Sequence, residues 1–456
     1  MSELPNHTEN TLEPQPSKEL VSSIVYFSRS IDDAMAVLRI LGPSEVAGIK
    51  VIRGVEAGTV HVDRVADGDL VVFQRDFPRD LDSCEKILSL AHEAHKPVVM
   101  DIDDLLFELP DDHPDRKSHY YGEALLPMLQ AVMEVDLVTV ATHGLREYLL
   151  QYNPHIAVFP NYLIDYLWNM KQPAITTQSG ETVTIGYMGG HTHVPDISNI
   201  LPVLETVYKK YYPKVRFHFW GIEAPAVLKD VSQVSWCPPK SYAYADFASY
   251  FQTQTADIMI APLLDTLFNN CKSCVKYLEY SSLGVPGVYS KVAPYTEVIQ
   301  DGEDGLLASS HPEWEEALCR LVEEPLLRRK IALNAQEKIR KNWLLSNNAD
   351  RLRDIYSCAV RDYTGQGQQL APYFTFLKPL IRQFYEANSQ KNLLLTENLN
   401  KVKLQEEQLF HLTERANQLE RQLTQAEDEM IDYVLSTSWE MTRPFRKITG
   451  KLKGLN

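Results

Sequence analysis

Apolar residues in this chain fall into short, near-continuous runs separated by amphipathic stretches, and that alternation predicts an α/β protein. Ser23–Phe27, Asp69–Phe73, Pro97–Met100 and Leu137–Ala141 are runs of four or five residues with the continuity expected of strands buried on both faces. Between them, Asp80–His95 and Tyr121–Val135 carry helical spacing. A second cycle predicts strands at Val183–Met188, Val215–Trp220, Ile258–Ala261 and Val285–Tyr289, again with helices between. Strand and helix in alternation build parallel sheets covered on both faces, so the pattern reads as two Rossmann-like domains in series.

From about Gln383 the period changes. Leu395, Val402, Leu409, Leu412, Ala416, Leu419, Leu423, Ala426, Met430 and Tyr433 fall on alternating a and d positions of a heptad, with Asn388, Asn398 and Gln405 on the same seam. The expected organisation is a disordered tail over 1–20, a first Rossmann-like domain over 21–172, a linker over 173–182, a second Rossmann-like domain with closing helices over 183–382, a coiled coil over 383–434 and a basic amphipathic tail over 435–456. The coiled coil implies self-association or a partner helix. The tail interleaves Trp439, Met441 and Phe445 with Arg443, Arg446 and Lys447, a pattern suited to an anionic membrane surface.

Charge narrows the partners. Across 456 residues, 61 Asp and Glu outnumber 45 Lys and Arg for a net charge of -16, which argues against a general nucleic-acid binder. No run of about 18 apolar residues occurs, and the polar first twenty residues lack the apolar core of a signal peptide. The expected location is the cytoplasm, either free or peripheral on the inner face of the cell membrane. Six cysteines are scattered over the chain. Cys271 and Cys274 make a lone CxxC with no second pair to complete a zinc set, so no metal and no cofactor are expected.

Candidate chemistry concentrates in Ala256–Val298. Lys272 and Ser273 stand where a loop becomes a helix carrying Lys276 and Glu279. A helix N-terminus offers free N–H groups and the positive end of a dipole, a natural seat for a diphosphate. A carboxylate two turns on can accept hydrogen bonds from both hydroxyls of a ribose. Gly189 and Gly190 end a predicted strand, either as a plain turn or as a close approach to a ligand. His193 and Asp196 follow, the latter as an N-cap or a functional group. In the first unit, Asp101, Asp103 and Asp104 end a strand at its carboxyl edge and could hold sugar hydroxyls, act as a base, hold a divalent cation or cap a helix. Arg75 ends a strand on the same side.

Leu278-Glu279-Tyr280-Ser281-Ser282-Leu283-Gly284-Val285-Pro286 resembles the donor-helix motif of family 4 GT-B glycosyltransferases. Val298–Leu307 resembles that family's strand and turn after the donor loop, and Val158-Phe159-Pro160-Asn161 resembles its V-x-P-N. The resemblance spans roughly residues 21–360. It implies a GT-B fold, a UDP- or GDP-type sugar donor as substrate, retention of anomeric configuration, and transfer to a glycan or lipid-linked acceptor in cell-surface polysaccharide synthesis. Lys272, Lys276, Asp101 and Asp103 are the expected catalytic residues. Gly189, Gly190, His193, Ser273, Lys272, Lys276 and Glu279 are the expected donor contacts. Two departures stand out: Cys271 occupies the place of the family's first glutamate, and the usual Gly-Arg and Lys pair is replaced by Met188–Asp196. The rival readings are a nucleotide-sugar epimerase of the same fold and a catalytically silent scaffold acting through its coiled coil.

Overall fold

The computed structural model describes residues 20–173, 182–225, 228, 233–239, 241–365 and 372–452. Residues 1–19 of the expected tail and most of the 173–182 linker lie outside them. The first sheet holds six parallel strands in the order β2-β1-β5-β6-β7-β8: β1 Ser23–Phe27, β2 Lys50–Arg53, β5 Leu70–Gln74, β6 Val98–Ile102, β7 Leu137–Val140 and β8 Ile156–Val158. A small antiparallel hairpin, β3 Val55–Glu56 with β4 Thr59–Val60, is inserted after β2. The second sheet is also parallel, in the order β11-β10-β9-β12-β13-β14: β9 Val183–Met188, β10 Val215–Trp220, β11 Val234–Cys237, β12 Ile258–Ala261, β13 Gly287–Ser290 and β14 Leu306–Ala308. This is the doubly wound Rossmann order, and its strand order reverses between β9 and β12.

Central strands are buried along their length, as β5 and β6 show, so their apolar runs are what a doubly covered sheet demands. The Leu81–Glu93 helix starts on Asp80, whose carboxylate accepts the Ser83 N–H at 2.6 Å. The helix expected from Tyr121 begins instead at Leu125, with turns over the residues before it.

Two crossings tie the units together. Leu163 bridges Leu344, and the Lys171 N–H donates to the Ser282 carbonyl at 2.9 Å. The closing Asp350–Asp362 helix returns to the first sheet's side: its Ser357 hydroxyl accepts the Val21 N–H and Arg353 donates to the Ala47 carbonyl. The final helix runs Pro372–Leu452, starting eleven residues before the expected Gln383. Its first turns serve the globular body, where Phe374 and Ile381 pack with Leu81 and Met133, and Arg382 pairs with Asp82 and Glu85 at 2.6 Å. The backbone stays helical through Pro444 and Gly450.

Candidate functional site

A cavity of about 470 Å³ opens at the carboxyl ends of β9 and β12, the switch point of the second sheet, and faces the carboxyl end of β6. Its wall brings together Asp103, Gly189, Gly190, His193, Lys272, Ser273, Lys276 and Glu279. Asp101 is not part of that wall.

The Val275–Ser282 helix supplies the two most unusual groups. Glu279 is buried, and its Oε1 accepts a 2.9 Å hydrogen bond from the Tyr244 hydroxyl, which itself accepts from Trp168 Nε1 at 3.1 Å. Burial pushes the Glu279 carboxyl up to about 8, against the pull of Tyr244 and Lys276. One turn earlier, the Lys276 amine is closed off from solvent and makes no hydrogen bond among the described residues. It lies 5.4 Å from the centre of the Tyr187 ring, and burial brings it down to about 8. A buried ammonium lacking a hydrogen-bonding partner is costly, so a cavity lined by one is built to receive an anion.

Lys272 lies 3.8 Å from Asp104 and 4.4 Å from the centre of the Phe268 ring. Asp104 also accepts from Arg75 at 3.4 Å, and Arg75 binds Asp103. Burial raises the Asp103 carboxyl to about 6 despite Arg75, with Asp104 adding like charge, whereas Lys272 and Arg75 hold Asp104 below its ordinary value against its own burial. Arg75 itself adopts a left-handed backbone, φ 54°, where β5 ends.

Asp101 sits in a different network. Both its oxygens accept from the fully buried Arg39 at 2.7 and 3.1 Å, and Thr139 donates to Oδ1 at 2.7 Å. With its acceptor positions held by Arg39 and Thr139 and no access to the cavity, the expectation that it acts on substrate is corrected: it anchors Arg39. Arg39 in turn donates to Asn161 Oδ1 at 3.1 Å, and Asn161 Nδ2 donates to Ser273 Oγ at 2.9 Å. The V-x-P-N asparagine therefore couples the first domain's core to the loop before the lysine helix.

Asp196 is not an N-cap. It lies inside the Val194–Asn199 helix, where Oδ2 meets His193 Nδ1 at 2.8 Å and Oδ1 accepts from Leu264 N and Asn269 Nδ2. Burial, with Lys276 close by, pushes His193 down to about 3, so its ring is neutral and fixed by Asp196. Gly189 and Gly190 differ. A side chain on Gly189 would collide with the Tyr187 ring, whereas one on Gly190 would meet open space. The CxxC cysteines belong to separate cores, and burial raises Cys271 to about 11 and Cys274 to about 12. Cys271 packs against Gly144, and its carbonyl accepts the Thr142 hydroxyl at 2.8 Å. Tyr244, Trp168, Arg39 and Asn269 escaped the sequence reading. Only Arg39, a lone charge in the apolar run Ala36–Leu41, carried a signal.

Two Rossmann-like sheets with a cavity at the switch point of the second make the GT-B fold. The family described as glycosyl transferases group 1 matches residues 182–324 of this chain. A D-inositol 3-phosphate glycosyltransferase of Nocardioides sp. is 35% identical over 81 residues, so the match covers 17% of this chain and 17% of that relative. HepE of Anabaena, solved in complex with UDP and glucose, shares the fold at 13% identity with a TM-score of 0.51, covering 74% of this chain and 99% of HepE. Sucrose-phosphate synthase of Thermosynechococcus elongatus does so at 12% identity and a TM-score of 0.52, covering 74% of this chain and 98% of the synthase.

Proposed function

We propose that this chain moves a sugar, with retention, from a UDP-type donor to a glycan or lipid-linked acceptor used in cell-surface polysaccharide synthesis. The observation that carries the proposal is the juxtaposition, on one turn of helix, of a buried amine without a hydrogen-bonding partner and a buried carboxylate held by Tyr244, both in the wall of one cavity. Nucleoside diphosphates present those two chemistries together: ribose hydroxyls that donate and a diphosphate that accepts. The UDP bound by HepE, a protein of the same fold, supports the choice of nucleotide.

In this reading Glu279 holds the ribose, and Gly189, Gly190 and His193 border the donor. Lys272, Lys276, Ser273 and the start of the Val275–Ser282 helix hold the diphosphate. As the glycosidic bond breaks, negative charge grows on the departing diphosphate. Lys276 already sits in a water-poor wall, so it stabilises that charge with little reorganisation. Lys272 must exchange Asp104 for phosphate. Asp103, with its carboxyl near 6, is ionised at neutral pH and serves as the acceptor-side base. The long C-terminal helix and basic tail serve assembly and attachment to an anionic leaflet.

The test is to incubate the protein with UDP-sugars, with and without lipid-linked glycan acceptors. Acceptor-dependent release of UDP with a labelled glycan is expected. Donor epimerised in the absence of acceptor, or no turnover of any nucleotide-sugar, would overturn the reading.

A further inference from the structure

The helix beyond Glu386 forms a unit of its own, and it carries an apolar stripe that nothing in that unit covers. Leu395, Val402, Leu409, Leu412, Leu419 and Leu423 are each between 48% and 65% exposed. They lie on a and d positions, with Leu395, Val402, Leu409 and Leu423 at a and Leu412 and Leu419 at d. From residue 386 to 434 the helix extends roughly 75 Å, so the stripe is far longer than the isolated apolar spots common on soluble proteins.

The flanking charges select the occupant. Between residues 401 and 427, counting from the same register, the g positions are Lys401, Gln408, Arg415 and Gln422, and the e positions are Glu406, Thr413, Glu420 and Glu427. In a parallel, in-register pair each g residue meets the e residue five positions on in the other helix. Lys401 then meets Glu406 and Arg415 meets Glu420, on both sides of the seam, with no like charges opposed. An antiparallel pair turns each e row on the other and sets glutamate rows face to face, a repulsive arrangement. Asn388 at an a position, together with Val402 at a and Leu412 and Leu419 at d, favours two strands over three.

We infer that two copies of this chain pair through residues 386–434 as a parallel, in-register two-stranded coiled coil, the partner being a second copy and not a foreign helix. Each particle therefore carries two copies of the globular body and two basic tails. The inference rests on the helix alone and survives if the transferase reading fails.

The test uses the full chain. Light scattering should return twice the 52.1 kDa of one chain. In a Cys358→Ser background, which removes the exposed native thiol, Leu412→Cys and Ala426→Cys should each form a self-disulfide under mild oxidation. Gln418→Cys, at an outward position, should not. An antiparallel pair can bring at most one of the two d positions against its own copy. Lys401→Glu with Arg415→Glu should weaken the dimer roughly tenfold or more, and adding Glu406→Lys and Glu420→Arg should restore it. A monomeric or trimeric mass, self-disulfide at only one of the two d positions, or a charge swap without effect on dimer strength each overturns the inference.

Discussion

The Tyr244 hydroxyl donates a 2.9 Å hydrogen bond to Oε1 of Glu279, although the two residues lie 35 positions apart on different helices. One carboxylate oxygen is thereby committed, and Glu279 lines the cavity. Trp168, on the segment joining the two sheets, steadies Tyr244 from behind.

Tyr244→Phe tests that relationship. Above pH 8, where Glu279 is ionised, a hydrogen bond to it is worth about 1.5 to 3 kcal/mol, so affinity for UDP measured there should fall roughly tenfold or more, while stability at neutral pH, where the group is protonated, falls by only about 1 kcal/mol. Calorimetric titration together with urea denaturation checks both. Unchanged UDP affinity would show that Glu279 needs no such support.

The pH dependence follows from two groups with opposite signs. Lys276 titrates near 8 in the free protein and phosphate favours its charged form, so binding of a diphosphate takes up a proton and weakens as pH rises above about 8. Glu279, also near 8, is favoured as the carboxylate by ribose hydroxyls, so uridine binding strengthens as pH rises towards 8. The ratio of UDP to uridine affinity should decline above pH 8 by up to about tenfold per unit. Lys276→Arg, which stays charged, should flatten that decline. A pH-independent ratio in the parent protein would remove Lys276 from the phosphate site.

Asp104 competes with the donor for Lys272. Asp104→Asn removes a negative charge 3.8 Å from the amine and should tighten UDP binding several-fold, with a smaller effect on uridine. Titration of both ligands decides it, and weaker UDP binding would make Asp104 part of the seat itself.

Asp101→Asn separates structure from chemistry. Removing the charged partner of a fully buried arginine costs about 3 to 5 kcal/mol, and chemical denaturation should show a loss of that order. The folded fraction should still bind UDP. Normal stability with lost turnover would return Asp101 to the catalytic group.

Central strands were legible because both faces are covered: β1, β9, β10 and β12 coincide with the apolar runs that announced them. The strands β2, β8, β11 and β14 gave no such run. β2 and β11 mix polar with apolar residues over four positions, whereas β8 and β14 are apolar runs of only three residues, too short to announce a strand. Lys276 and Glu279 were legible as a pair because three residues on a helix is one turn. Tyr244 with Glu279, and Arg39 with Asp101 across 62 positions, are meetings made by the sheets, and no local spacing encodes them. The N-cap reading of Asp196 failed because the helix starts two residues earlier, at Val194, which turns that carboxylate inward to Leu264 and Asn269.

The central claim is that one cavity holds a nucleoside diphosphate through Glu279 at the ribose and Lys276 at the phosphates, and calorimetric titration of the full chain reads it directly. The parent protein should bind UDP in a one-to-one ratio and more tightly than uridine. Glu279→Ala should lose affinity for both ligands, and Lys276→Ala should lose it for UDP but not for uridine, with melting curves close to the parent's. UDP binding that is absent in the parent, or retained undiminished in both folded variants, would contradict the account.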